Sequence, residues 1–152
     1  MHLITDTLLV GNIDEAREPP PQIGALLLVA EEFTIEPASW LDYGYIPFKE
    51  FGKVDAARLN AAVEWVEQHA PANRTMVCCR AGMGRSVSVV IAYLCLAQGM
   101  SFADALTLAK TRRPGAMPIP DLERTIEKVR TLRSKRAAKK SSPPPRQDPR
   151  CA

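Results

Sequence analysis

Six consecutive apolar residues, Ala25-Leu-Leu-Leu-Val-Ala30, constrain the fold of this chain more than any other stretch. The run is too short for a helix and has no polar alternation, so it reads as a strand buried on both faces. Such a strand needs a layer above and below it, which for 152 residues means helices packed on a mostly parallel sheet. Leu8–Val10, ending at Gly11, is a second strand candidate, and Tyr43–Phe48 is a third, expected to stop at Pro47. Thr75–Cys78 is the fourth, entered from the turn Pro71–Arg74. Helical spacing fills the gaps. Asp55 caps a segment in which Leu59, Ala62, Val63 and Val66 recur up to about His69. A second segment runs from Arg85 to about Gln98, with Gly99 as its C-cap. Ser101 and Asp104 form a capping-box pattern opening a third, which ends before Pro114. Leu122, Ile126, Val129 and Leu132 make one stripe of a fourth, behind Pro118 and Pro120. The expected fold is α/β, a compact, mostly parallel sheet of four to five strands flanked by helices.

Composition supports one domain with an unbalanced end. Hydrophobic content of 46% and charged content of 24% are those of an ordinary globular protein. Met1 to Asp6 has no secretory pattern, and the apolar run Val87–Ala97 is too short to cross a bilayer, so a cytoplasmic location is expected. In that setting the four cysteines are expected to be reduced thiols. From Lys135 onward six basic residues face one acidic residue, a charge of +5; the overall +3 less this +5 leaves −2 on residues 1–134. The division expected is a folded domain over 1–133 and a basic, Pro-rich, disordered tail over 134–152. The tail is the one place where nucleic acid or anionic lipid would bind, and a solubilising role without a partner is the plainer reading.

The chemistry concentrates in Cys79-Arg-Ala-Gly-Met-Gly-Arg-Ser86, which joins a strand to a helix. A helix start presents unpaired amides and the positive end of the helix dipole, so a loop entering it can cradle an anion. Gly82 and Gly84 allow backbone conformations closed to other residues, turning successive amides inward. Arg85 adds a planar fork for two oxygens of a phosphate. The same positive field favours the thiolate of Cys79. A nucleophile and an oxyanion cradle in one loop are the parts of a displacement at phosphorus.

Cys79, five residues, then Arg85-Ser86 resembles the signature of the cysteine-dependent protein tyrosine phosphatase superfamily, and Arg80–Ser86 most resembles its small dual-specificity branch. Asp6–Asn12, Gly24–Ala30, Tyr45–Phe48, Val89–Leu94 and Arg112–Gly115 are similar to further family segments, so the resemblance spans about residues 5–133. It implies that Cys79 attacks phosphorus to form a phosphocysteine. Arg85 and the amides of Arg80, Ala81, Gly82, Met83, Gly84 and Arg85 would hold the phosphoryl oxygens, and Ser86 would help the thiolate leave. No metal or organic cofactor is implied, and a monomer is expected.

Two positions depart from the family pattern. Cys78 stands where the family usually has a histidine that organises the loop, so weaker thiolate activation is expected. Cys78 reads as a buried strand-end residue, with a redox partner for Cys79 as the alternative. The family's general acid, an aspartate about thirty residues upstream, falls here on Glu50, with Asp55 and then Asp42 as alternatives. Asp55 is also explained as a helix cap.

The remaining residues have plainer readings. Cys95, Trp40 and Trp65 read as packing residues, His69 as a surface or capping residue, and Arg112 and Arg113 as a solvated helix end rather than a second anion site. Having only His2 and His69 argues against a Cys–His hydrolase, and Cys151 lies outside a prenylation box. The function implied is hydrolysis of phosphorylated protein at tyrosine, serine or threonine. The same chemistry on RNA 5′ ends, phosphoinositides or phosphorylated sugars, a non-catalytic phospho-binding module, and a sulfurtransferase or arsenate reductase are the alternatives.

Overall fold

The computed structural model describes residues 1–141. Along the chain the elements are β1 (His2–Leu3), β2 (Leu8–Gly11), α1 (Ile13–Arg17), β3 (Ala25–Ala30), β4 (Asp42–Phe48), α2 (Ala56–His69), β5 (Thr75–Cys78), α3 (Arg85–Leu96), α4 (Phe102–Arg112) and α5 (Leu122–Ser141). The strands form one sheet in the order β1-β2-β5-β3-β4. Only β1 is antiparallel to its neighbour; β2, β3, β4 and β5 run in parallel, so the α/β expectation holds. All six residues of β3 are buried, as their unbroken apolarity requires.

Strand β5 lies at the centre, its Cys78 level with Gly11 of β2 and Leu28 of β3. The next residue therefore emerges at the carboxyl end of the sheet between two flanking loops, where ligands bind in open parallel sheets. Helix α3 packs against β5, β2 and β3 and is covered in turn by α2, α4 and α5. Every residue from Arg85 to Cys95 is buried, which explains a helix apolar on all sides that is too short to cross a membrane. Among the described residues no helix is long and apolar enough to do so.

The structure differs from the sequence reading at four places. Pro47 does not stop β4, which continues to Phe48. That strand is the sheet edge, where a residue lacking N–H is tolerated, and the register with β3 shifts there: Leu28 faces Tyr45 but Ala30 faces Phe48. Helix α3 ends at Leu96, short of Gln98, although Gly99 does adopt a left-handed φ of +71°. Strand β1 and helix α1 were not anticipated; α1 is opened by Asn12, whose side chain and that of Glu15 cap each other's backbone amides. Finally, α5 runs eight residues past the boundary drawn at 133. Ser134 to Lys140 is rich in good helix formers. Arg133 bonds Asn60 and Glu67, and Arg136 pairs with Glu64 at 3.3 Å, docking the extension on α2. The rest of the expected disordered tail, 142–152, lies outside the described residues.

Candidate active site

The loop from Cys79 to Gly84 connects the central strand to the buried helix. Gly84 is the N-cap of α3 and provides no side-chain acceptor, so the amides of the first helical turn keep their capacity for another partner. Gly82 has φ of +68°, and a Cβ there would lie 2.8 Å from the Gly11 carbonyl oxygen, so only glycine fits. Gly84 was expected to need the same freedom, but its φ is −111°. Its requirement is space: a Cβ would come to 3.3 Å from the Met117 carbonyl.

Cys79 is buried, with Ser86 Oγ 3.2 Å from its sulfur. Burial pushes the thiol pKa up, but the Ser86 hydroxyl and the amides of Ser86, Gly82 and Met83 bond the sulfur and outweigh it, leaving a net lowering. A thiolate is favoured at the floor of a cavity of about 390 Å³. Cys78, one residue earlier, faces the opposite situation. It is fully buried, and desolvation pushes its thiol well up, so it stays neutral as the strand-end residue expected.

Arg85 is only 4% exposed and its guanidinium is oriented by two partners, one just past β3 and one at the end of β4. Nη1 donates to Glu32 Oε2 at 2.6 Å and to the Phe48 carbonyl at 3.1 Å, while Nη2 donates to Glu32 Oε1 at 2.5 Å. Three of its five N–H groups are thereby used. Among the described residues Nε–H and the second Nη2–H have no partner; they lie side by side on one edge, the arrangement that takes two oxygens of a tetrahedral anion. The hydrogen bond from Arg85 holds the Glu32 carboxyl down at about 2.

The three candidate acids are separated by position. Glu50 lines the cavity with Cys79, Arg85 and Met117, and its Oε1 is 3.3 Å from Nη1 of Arg80. Asp55 is the N-cap of α2, its carboxylate accepting from the Arg58 amide at 2.8 Å. Asp42 begins β4 level with Ala25, at the opposite end of the sheet from the loop. The structure thus brings Cys79, Arg80, Arg85, Ser86 and Glu50 together and leaves Asp42 remote.

Sequence reasoning missed Glu32. It lies two residues past the end of β3, at the carboxyl end of the sheet where the loop emerges, and a buried cation at position 85 is a signal that a carboxylate must be nearby. Arg113 also departs from expectation. It is half-buried against the loop, donating from Nε to the Gly82 carbonyl at 3.1 Å and from Nη2 to the Ala81 carbonyl at 3.3 Å. Trp65 does pack, stacked on His69 with ring centroids 3.9 Å apart. Trp40 is 55% exposed, tied by Nε1 to the Ile23 carbonyl at 3.2 Å, so it covers the surface rather than filling the core.

Known proteins share this architecture. The crystal structure of human DUSP28 superimposes with a TM-score of 0.75 at 21% identity, covering 88% of this chain and 94% of that one. Fold and loop together define the class, a cysteine-dependent protein tyrosine phosphatase superfamily chain of the small dual-specificity type. The chain belongs to the dual specificity phosphatase catalytic-domain family, whose model matches residues 24–131. It is 47% identical over 45 residues to dual specificity protein phosphatase 1B of Arabidopsis thaliana, a match covering 30% of this chain and 27% of that protein. Over 80 residues it is 32% identical to dual specificity protein phosphatase Mpk3 of Drosophila melanogaster, covering 51% of this chain and 20% of that one. The matches therefore span less than a third of either relative's length.

Proposed function

We propose that the chain hydrolyses phosphate monoesters on protein through a covalent phosphocysteine. The observation that carries the reading is the sulfur of Cys79, buried, 3.2 Å from Ser86 Oγ and bonded by the amides of Gly82, Met83 and Ser86. In the first step the thiolate attacks phosphorus: an S–P bond forms, the P–O bond to the substrate breaks, and Glu50 gives its proton to the departing oxygen. The inward amides and the free edge of Arg85 hold the three remaining oxygens. In the second step water attacks phosphorus, Glu50 takes its proton, and the sulfur leaves as thiolate, accepting from Ser86. No group beyond the chain's own residues and water is needed to balance either step.

The cavity's walls support phosphoprotein as substrate. Phe51 and Met117, 85% and 72% exposed, stand at its rim, Pro118 and Ile119 also line it, and together they offer apolar contact to a side chain entering phosphate first. Hydrolysis of a chromogenic aryl phosphate and of phosphotyrosine, phosphoserine and phosphothreonine peptides by wild type, lost in Cys79→Ser, is the expected result. Equal rates for the two proteins would assign the activity elsewhere. Tight phosphopeptide binding without phosphate release would make the chain a binding module instead.

A further inference from the structure

The walls of the anion cradle are peptide planes, and a trans peptide points its N–H opposite to its C=O. The direction of each amide in the loop is therefore decided by what holds the preceding carbonyl. All five carbonyls from Arg80 to Gly84 have a donor outside the cradle. That of Arg80 accepts from the Ile13 amide at 3.1 Å, and that of Met83 from the Met117 amide at 2.8 Å. Gly84 accepts from both the amide and the hydroxyl of Ser88, at 2.9 and 2.8 Å. The two central carbonyls, Ala81 and Gly82, are held by one side chain, Arg113, through Nη2 and Nε at 3.3 and 3.1 Å.

The peptide planes gripped by Arg113 end in the amides of Gly82 and Met83. These are two of the three amides that bond the Cys79 sulfur. We propose that Arg113 is a positioning residue for the nucleophile: by holding the Ala81 and Gly82 carbonyls outward it aims the Gly82 and Met83 amides at Cys79. A cation on the carbonyl side also polarises each peptide, making its N–H the stronger donor. Arg113 is itself fixed. Its backbone amide closes α4 on the Ala109 carbonyl at 2.8 Å, and Nη1 donates to the Pro114 carbonyl at 2.6 Å.

The assignment rests on the phosphatase reading above but can fail separately from it. The test compares wild type, Arg113→Lys, Arg113→Gln and Arg113→Ala as the full chain. The rate of iodoacetamide alkylation at Cys79 is followed by mass spectrometry across pH, alongside aryl phosphate kinetics. Weakening two amide bonds to the sulfur is expected to raise the alkylation midpoint by about one pH unit in Arg113→Ala, so that the rate below the wild-type midpoint falls about tenfold. The loss in kcat/KM should match, and Arg113→Lys, whose single ammonium reaches one carbonyl at a time, should fall between. If Arg113→Ala fails to fold, the lysine and glutamine variants decide the matter on the same midpoint. An unchanged midpoint in a variant with a lower Tm makes Arg113 structural only and overturns the proposal. An unchanged midpoint with loss confined to doubly phosphorylated substrates makes it a substrate anchor and overturns it as well. Wild type that alkylates normally but hydrolyses nothing sinks the phosphatase reading while leaving the midpoint comparison intact.

Discussion

Two loops meet over the cavity and are held in opposite ways. In the loop from Cys79 to Gly84 all five carbonyls from Arg80 onward are bonded from outside, and Cys79, Arg85 and Ser86 are buried. In the loop over 49–54 Phe51 is 85% exposed, and Gly52, at φ of +100°, has open space where a side chain would be. This second loop is tied down by two surface pairs, Glu50 with Arg80 at 3.3 Å and Lys53 with Asp121 at 2.6 Å. Exposed pairs of this kind contribute little and weaken with salt. Under the proposed function the difference matches two tasks. Charge stabilisation needs dipoles already aimed before the substrate arrives, because reorienting them would cost part of what they supply. Proton delivery needs one carboxyl within reach at the right moment, which a loosely held segment can provide.

The largest expected effects fall on the two loops' charged groups. Arg85→Lys removes the planar fork from the rigid loop and should lower kcat by about 10²–10³-fold on any leaving group, the cost of a lost transition-state donor. Glu50→Gln acts on the loose loop and should lower kcat by about 10²-fold on an alkyl phosphate while sparing an activated aryl phosphate, whose leaving oxygen needs no proton. Asp55→Asn should leave both rates near wild type. The reverse pattern for Glu50 and Asp55 would move the acid to the helix cap.

Smaller effects sharpen the same contrast. Glu32→Gln should cost about tenfold in kcat/KM by loosening Arg85 while leaving it charged. Because Arg85 holds the Glu32 carboxyl at about 2 against its ordinary 4.5, the pair stabilises the fold fully above pH 4.5 and loses that contribution as pH falls toward 2. Tm measured across that window should therefore drop less steeply in Glu32→Gln than in wild type. At the small end, Asp55→Ala should lower stability by about 1 kcal/mol through the lost α2 cap, read by urea melts, with little change in rate.

What was legible in the sequence is what the chain encodes locally. The spacing of Cys79, Arg85 and Ser86 is set by one strand-to-helix turn, and the apolar runs of β3 and α3 announce their own burial. Groups that act from a distance left no such trace. Glu32 reaches Arg85 from 53 residues away and Arg113 reaches the loop from 31, with the fold alone making the introduction. From sequence Arg113 reads as solvated because helix ends usually are. The same holds for Arg133 and Arg136, whose partners on α2 turn a basic segment into ordered helix. Helix α1 is a different case. Asn12-Ile-Asp-Glu15 carries a capping box in plain view, but five residues give no periodicity to recognise.

The most direct test of the account is to look for the phosphoryl group on sulfur. Wild type and Ser86→Ala are mixed with an aryl phosphate, quenched in acid within one turnover, digested and sequenced by mass spectrometry. One phosphoryl group is expected on Cys79 within the peptide Thr75–Arg80, assigned against its neighbour Cys78 by fragmentation, and more of it in Ser86→Ala, where the thiolate leaves less readily. Full turnover by wild type with that peptide unmodified in both proteins would contradict it.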